Sequence, residues 1–148
     1  MNRDIEKYDE FAKRMQERFP KMFAQPYGGF AVGPGWWTII ESLCGQIQHH
    51  VEWKQEQKEK YGNGQGCADV TVTQIKEKFG GLRFYYNGGD DIVDGMVRMA
   101  ESWAAHSCEE CGKPGKSRKS GWIKTLCDEH EEERQARYKE RFKNNDQP

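Results

Sequence analysis

Three cysteines and one histidine in the last third of the chain have the types and the spacing of metal ligands. Cys108 and Cys111 are separated by two residues, fifteen residues follow, and Cys127 and His130 are again separated by two. Two residues between ligands allow a tight turn to aim both side chains at one ion, and a loop of about fifteen residues lets a hairpin return the second pair. The pattern therefore predicts a zinc site made of these four residues.

The predicted zinc is structural, because four nitrogen and sulfur ligands leave no open coordination position. A catalytic zinc keeps one position for water and needs an acid or base nearby. A deaminase would have a glutamate beside a histidine ligand ahead of a cysteine pair, and that order does not occur here. His106 is a competing ligand with poor spacing to Cys108. Cys44 and Cys67 stand alone and are expected to be a small buried side chain and a loop thiol.

The elements around the ligands predict how they are brought together. Gly112 and Gly115 lie where the first pair must turn, and Gly121–Leu126 is typical of a strand leading into the second pair. Cys127 and His130 then open a helix over about 128–142, which begins with acidic and ends with basic residues, as the helix dipole favours. A knuckle, a hairpin and a helix that carries the last ligands make a treble-clef-like arrangement.

The preceding part of the chain predicts helices packed with a β-hairpin. Apolar periodicity indicates helices over 3–19, over about 36–60 and over 92–106, and β-branched and aromatic runs indicate strands over 70–75 and 82–86. Asp90 is the expected N-cap of the third helix. The residues expected to face inward from that helix are Ile92, Val93, Met96, Met99, Ala100 and Trp103.

The predicted fold class is therefore α+β, in three parts. Residues 1–106 form a helical and β-hairpin domain, 107–143 a zinc-binding module with a C-terminal helix, and 144–148 a disordered tail. The segment between the predicted strands, 76–81, is expected to be a slightly long turn ending in a Gly-Gly pair.

Bulk composition limits the classes of function. The formal net charge is −1, so attraction to nucleic acid must come from a local patch. No segment is long and apolar enough to cross a membrane, and the charged first ten residues do not form a secretory signal. Five cysteines, an odd number, do not form a disulfide ladder, which favours a reducing cytoplasmic setting.

Two basic surfaces are candidates for ligand binding. The first lies between the two ligand pairs and combines five cations with one aromatic residue: Lys113, Lys116, Arg118, Lys119, Lys124 and Trp122. The second is one face of the predicted hairpin: Lys76, Lys78, Arg83 and Tyr85. Cations beside aromatic rings suit phosphates and stacked bases. The alternative for both is an ordinary solvated hairpin, and whether they form one site is left open.

Three other groups of residues give weaker evidence for a functional site. Glycines 28, 29, 33 and 35 precede a helix, but their spacing matches no phosphate-binding loop. His49 and His50 are adjacent on a helix and point in different directions, so joint metal binding is not expected. Asp90 and Asp91 are interpreted as a helix cap and not as a metal site.

Two motifs occupy the second half of the chain: KEKFGGLRFYY at 76–86, and CEECGKPG at 108–115 followed by Gly121-Trp122 and by TLCDEH at 125–130. Together they resemble a family of small proteins encoded by bacteriophages and prophages. That family has no established activity, so no catalytic residue is inherited. The resemblance implies an accessory protein that acts in the bacterial cytoplasm, and proteins of that kind are often inhibitors of host antiviral defence.

The leading functional hypothesis is non-enzymatic binding of a phosphate-bearing partner, either nucleic acid or a nucleotide, with a role against host defence. The first alternative is binding to a host defence protein or nuclease, with zinc only bracing the fold. The second alternative is a small treble-clef nuclease, which is disfavoured because no residues that would activate a metal-bound water are evident beside the knuckle.

Overall fold

A computed structural model describes residues 3–145 and shows four helices and two small sheets in that range. The predicted α+β class is confirmed. The helices are α1 (Arg3–Arg18), α2 (Trp37–Tyr61), α3 (Asp91–Ala104) and α4 (Asp128–Asn145), and a 3₁₀ turn, Pro34–Trp36, precedes α2. The strands are β1 (Phe30–Ala31), β2 (Ala68–Lys78), β3 (Gly81–Gly89), β4 (Lys116–Arg118) and β5 (Lys124–Leu126).

The larger sheet has the order β1-β2-β3, with β2 and β3 antiparallel and β1 parallel to β2. The predicted turn over 76–81 is wrong in length, since the strands continue to Lys78 and resume at Gly81. The turn itself is Phe79-Gly80, and both residues have positive φ, 53° and 79°. Positive φ at both central residues is typical of a two-residue hairpin turn whose twist matches the strands.

The core lies between the sheet and the first two helices. Val70 and Val72 of β2 and Leu82 and Phe84 of β3 are buried at alternate positions, as period-two side-chain alternation requires. A register shift between Val72 and Gln74 breaks the alternation, so the next buried residue of β2 is Ile75. On the helical side, the rings of Phe11 and Trp37 stack at 4.7 Å between centroids. This core is one continuous cluster that also includes buried residues of α3.

Only part of the predicted inward face of the third helix is buried: Val93 and Ala100 are buried and Met96 is half-buried against the core, as predicted. The buried residues of this helix are Val93, Val97, Ala100 and Ala104, while Ile92, Met99 and Trp103 are 53%, 67% and 63% exposed. Two apolar stripes lie side by side on this helix, and the one that faces α2 and β3 is buried. The predicted N-cap is confirmed, because Oδ1 of Asp90 accepts hydrogen bonds from the amides of residues 92 and 93.

The segment after α3 is joined to the core by buried hydrogen bonds. The indole Nε1 of Trp36 donates to the carbonyl of Ser107 at 2.9 Å, and the amide of Gly35 donates to the carbonyl of Glu109 at 2.7 Å. A Cβ at Gly35 would lie 2.1 Å from the carbonyl oxygen of Cys108. Only glycine fits this close approach, which gives the glycine-rich loop a packing role.

At the C-terminal end, α4 includes Asn144 and Asn145, which were predicted to belong to the tail. The rest of the predicted tail, 146–148, lies outside the described residues. Over the range 3–145, no helix has both the length and the apolar character needed to cross a membrane.

Candidate metal centre

The four predicted ligands lie together in the structure. The thiol sulfurs of Cys108, Cys111 and Cys127 and a ring nitrogen of His130 are all within 4.8 Å of one another. The sulfurs of Cys111 and Cys127 are 3.8 Å apart, and Nδ1 of His130 lies 3.5 Å from Cys108 Sγ and 3.2 Å from Cys127 Sγ. Sulfur and nitrogen donors arranged tetrahedrally around one ion are separated by about 3.3–3.8 Å. The cluster therefore has the dimensions to hold a single metal ion.

Local backbone structure aims the first pair. The amide of Gly112 donates to the carbonyl of Cys108 at 2.8 Å, and the amide of Cys108 donates to the carbonyl of Lys113 at 2.8 Å. Gly112 has φ 79°, a value that closes the knuckle and that side chains disfavour. The knuckle is tied to β5 because the amide of Glu109 donates to the carbonyl of Thr125 at 3.0 Å.

The second pair comes from the junction of β5 and α4. Cys127 follows β5 directly, and His130 lies in the first turn of α4. The amide N–H of His130 donates to Cys127 Sγ at 3.5 Å, and this hydrogen bond is the main cause that lowers the pKa of Cys127 to about 7. Because the thiolate is the metal-binding form of cysteine, Cys127 is already favoured as a ligand near neutral pH. Burial raises the pKa of Cys111.

The far side of the imidazole faces an acidic side chain. With Nδ1 of His130 facing the sulfurs, Nε2 lies 3.9 Å from a carboxylate oxygen of Glu133. This separation is too long for a direct hydrogen bond, so Glu133 contributes a negative charge near the ring. The competing ligand, His106, is not part of the cluster, because its Nδ1 lies 2.9 Å from the carbonyl oxygen of Ser102.

The predicted basic residues of the metal-binding segment divide into two groups. Arg118 braces the structure, since it donates to the carbonyl of Leu126 and reaches Oδ1 of Asp128 at 2.7 Å. Lys124 lies 3.6 Å from the buried carboxylate of Glu109. The other predicted residues are exposed: Lys113, Lys116, Lys119 and Trp122.

The predicted residues of the larger hairpin share one outer face. Lys76 and Arg83 are directly paired across β2 and β3. The ammonium of Lys76 lies over the ring of Tyr85, 5.7 Å from its centroid, and Tyr85 is 43% exposed. Lys78 is exposed at the turn end of the same face. This face thus presents cations around an aromatic ring.

The two hairpins meet. The hydroxyl of Thr125 in β5 donates to the carbonyl of Gly80 in the β2–β3 turn at 2.6 Å, and this bond is buried. A Cβ at Gly80 would lie 3.3 Å from both Ile123 Cγ2 and the carbonyl carbon of Lys124. The tip of one hairpin is therefore packed on the last strand of the other, which the sequence left open.

Sequence reasoning missed Phe79 at this junction. Phe79 and Trp122 are both 71% exposed. Phe79 directly precedes Gly80 and Trp122 directly precedes Ile123, and a Cβ at Gly80 would lie 3.3 Å from Ile123 Cγ2. The sequence could have indicated Phe79 by its position directly before Gly80-Gly81, because a residue in such a turn is usually small and polar. A large apolar side chain at positive φ in an exposed turn is uncommon and suggests a role in binding.

No family model matches the chain, and no curated protein and no solved structure matches it either. The resemblance to phage and prophage proteins therefore stays a prediction, and the functional argument rests on the geometry.

Proposed function

We propose that the cluster of Cys108, Cys111, Cys127 and His130 holds a structural Zn²⁺ in a treble-clef-like module. The donor set supports zinc, because three thiolates and one imidazole in a closed tetrahedron are typical of structural zinc sites. The order of knuckle, β4–β5 hairpin and α4 supports the module type. With four protein ligands, the ion would have no position for a substrate or an activated water, so its proposed contribution is to the fold.

The proposed function is non-enzymatic binding of single-stranded nucleic acid by the two joined hairpins. The observation that carries this proposal is the bond from Thr125 to Gly80, since it joins the two hairpins that carry the basic side chains. Three aromatic side chains, Phe79, Tyr85 and Trp122, are exposed on these hairpins. Proteins that bind single strands combine cations along the backbone path with aromatic rings on which bases stack.

Different residues of this surface have different proposed roles. The exposed lysines of both hairpins would contact phosphates, which gives affinity without sequence preference. Arg118 and Lys124 are already engaged by acidic partners and would act mainly by shaping the hairpin. The exposed rings would stack on bases, each worth about 1–3 kcal/mol of binding free energy.

The test is fluorescence anisotropy with a labelled single-stranded oligonucleotide at several salt concentrations. One variant carries glutamine at five lysines of the surface, of which the first is half-buried and the other four are exposed: Lys76, Lys78, Lys113, Lys116 and Lys119. We expect weaker binding and a plot of log affinity against log salt that is flatter by about 0.7 for each phosphate contact removed. Unchanged affinity and slope would refute the proposal.

A matched control removes the same charge elsewhere. Lys7, Lys13, Lys21, Lys58 and Lys60 are exposed and lie outside both hairpins. Replacing these five by glutamine changes the net charge equally, so binding that depends on the proposed surface should be affected far less than in the first variant. Equal losses in both variants would mean that total charge, and not this surface, governs binding.

A protein partner is the second candidate, and one observation favours it. A groove of about 400 Å³ between α2 and α3 is lined by apolar side chains that include the exposed Met99 and Trp103. Exposed apolar patches are common at protein interfaces. In that case Trp103→Ser would abolish binding to a host protein while oligonucleotide binding persists. Action inside a bacterium against host defence remains a proposal that rests on the motif resemblance.

A further inference from the structure

Three residues from separate parts of the chain form a second cluster of metal-binding side chains. His50 belongs to α2, Cys67 directly precedes β2, and Asp90 directly precedes α3. One donor atom from each lies within 4.8 Å of the other two. An imidazole, a thiol and a carboxylate together are a donor set that suits zinc and related divalent ions.

The carboxylate at the centre of this cluster is held in place. Oδ1 of Asp90 accepts the two amide hydrogen bonds that cap α3, at 3.1 and 3.0 Å from the nitrogens of Ile92 and Val93. Its other oxygen, Oδ2, lies 2.8 Å from Nε2 of His50. The side chains of His50 and Asp90 are only 10% and 27% exposed. Backbone hydrogen bonds to one oxygen therefore leave the other oriented towards the imidazole.

The thiol of Cys67 does not have the environment of a catalytic nucleophile. Burial, followed by the charge and hydrogen bonding of Asp90, raises its pKa, whereas reactive cysteines have a lowered pKa. A Cys-His-Asp hydrolase would also have the imidazole between the thiol and the carboxylate. Here the imidazole of His50 contacts the carboxylate of Asp90, and the thiol of Cys67 donates to the carbonyl of Ala68 at 3.6 Å while lying within 4.8 Å of both side chains. A cation among the three groups would displace the thiol proton and gather the three donor atoms on one ion.

We infer that His50, Cys67 and Asp90 form a second metal site, which takes Zn²⁺ or a similar thiophilic divalent ion through Nε2, Sγ and Oδ2. On binding, the thiol proton leaves to solvent, and Nε2 of the neutral imidazole becomes a ligand with the ring proton on Nδ1. The separation of Nε2 and Oδ2 must open from 2.8 Å by about 0.5 Å to reach the edge of a tetrahedron around zinc. This is a side-chain adjustment that leaves the helix cap intact.

The site differs from the first one in having three protein ligands. A fourth position would be filled by water or by a donor atom of a bound molecule. Cys67 lines an open groove of about 650 Å³ together with residues of α2 and of the loop before β2, so an ion has a route of entry. Because its ligands come from three elements, the ion would connect α2, the start of β2 and the start of α3.

The first experiment counts ions on the full-length protein by native mass spectrometry during titration with Zn²⁺. We expect two ions per chain in the wild type and one in His50→Gln. His49→Gln is the matched control, since its neighbouring imidazole is exposed and outside the cluster, and it should keep two. One ion in the wild type at saturation, or two in His50→Gln, would overturn the inference.

The second experiment measures alkylation of Cys67. Cys44 is fully buried, and three cysteines belong to the first cluster, so Cys67 should be the fastest thiol to react in protein that already holds its first ion. Zn²⁺ at about ten times its Kd should slow this reaction by about tenfold, because only an unoccupied site has a free thiol, and should have no such effect in His50→Gln. If His50→Gln folds poorly, Cys67→Ser replaces it in the ion count, because this change lies at a half-buried loop position. The Cys67→Ser variant should take up one ion. An alkylation rate that Zn²⁺ leaves unchanged in the wild type contradicts the site.

Discussion

Replacing Thr125 by valine should weaken the junction between the two hairpins. Valine keeps the shape of threonine but removes the hydroxyl that donates to the carbonyl of Gly80 at 2.6 Å. Thr125 is 2% exposed, so water cannot replace the lost donor, and the carbonyl loses this partner. Removing the donor from a buried carbonyl acceptor lowers the free energy of unfolding by about 1–3 kcal/mol. For a chain of this length, that range corresponds to a fall in Tm of about 2–10 °C.

The assay is urea unfolding of the zinc-loaded protein, followed by circular dichroism at a fixed zinc concentration, because free metal contributes to apparent stability. Thr73→Val on β2 is the control. Thr73 is exposed, and the change should stay within about 0.5 kcal/mol of wild type. Metal content should be unaffected in both variants. If Thr125→Val also stays within that margin, the hydrogen bond does not hold the hairpins together, and the idea of one joint surface loses its main support.

Three other perturbations test the fold around the site. Gly35→Ala would place a Cβ 2.1 Å from a knuckle carbonyl oxygen and should lower the free energy of unfolding in urea by about 1–3 kcal/mol. The control is Gly95→Ala, which should be neutral or stabilising because nothing lies within 4 Å of its Cβ. Equal effects of the two substitutions would contradict the close packing at Gly35. Glu41→Gln should cost about 0.5–1 kcal/mol at pH 7. Hydrogen bonding from Arg14 lowers the folded-state pKa of Glu41 from its usual 4.5. The stabilisation by Glu41 is therefore present above pH 4.5 and is lost as the pH falls through the lowered pKa. A difference in stability between variant and wild type that does not change with pH would disprove this role of Glu41. Removing metal with a chelator should disorder residues 108–145 in NMR spectra while the signals of the larger core persist. The reason is that the buried cluster of this segment contains three residues, which is too small a core to hold it folded. Unchanged spectra would show that the ion does not hold the segment.

The parts of the site that are local in sequence could be predicted, and those made by distant residues could not. Ligand pairs with two intervening residues need only a tight turn, so the spacing of Cys108 and Cys111 was informative by itself. The cap at Asp90 is equally local. The cluster of His50, Cys67 and Asp90 has no spacing rule, since its members meet only when α2, β2 and α3 pack together.

Two errors have the same physical origin. On α3, apolar residues occupy two adjacent stripes, and the predicted inward face combined residues of both. Packing against α2 and β3 buries the stripe with Val93, Val97 and Ala100, which periodicity alone does not single out. In the hairpin, the strands extend past the β-branched and aromatic runs because backbone pairing continues to Lys78 and Gly81. Tertiary contacts and ladder hydrogen bonds thus decided both outcomes against local composition.

The bond from the Trp36 indole to the carbonyl of Ser107 also bears on how the chain folds. It closes a loop between residues 71 positions apart, and contacts so distant in sequence form at a larger entropic cost than hairpins and helices do. The hairpin of β2 and β3 and the metal knuckle are each local, so both can form early. The joint at Trp36 would then be among the last to close, and we expect the burial of its indole to report the slowest phase of refolding.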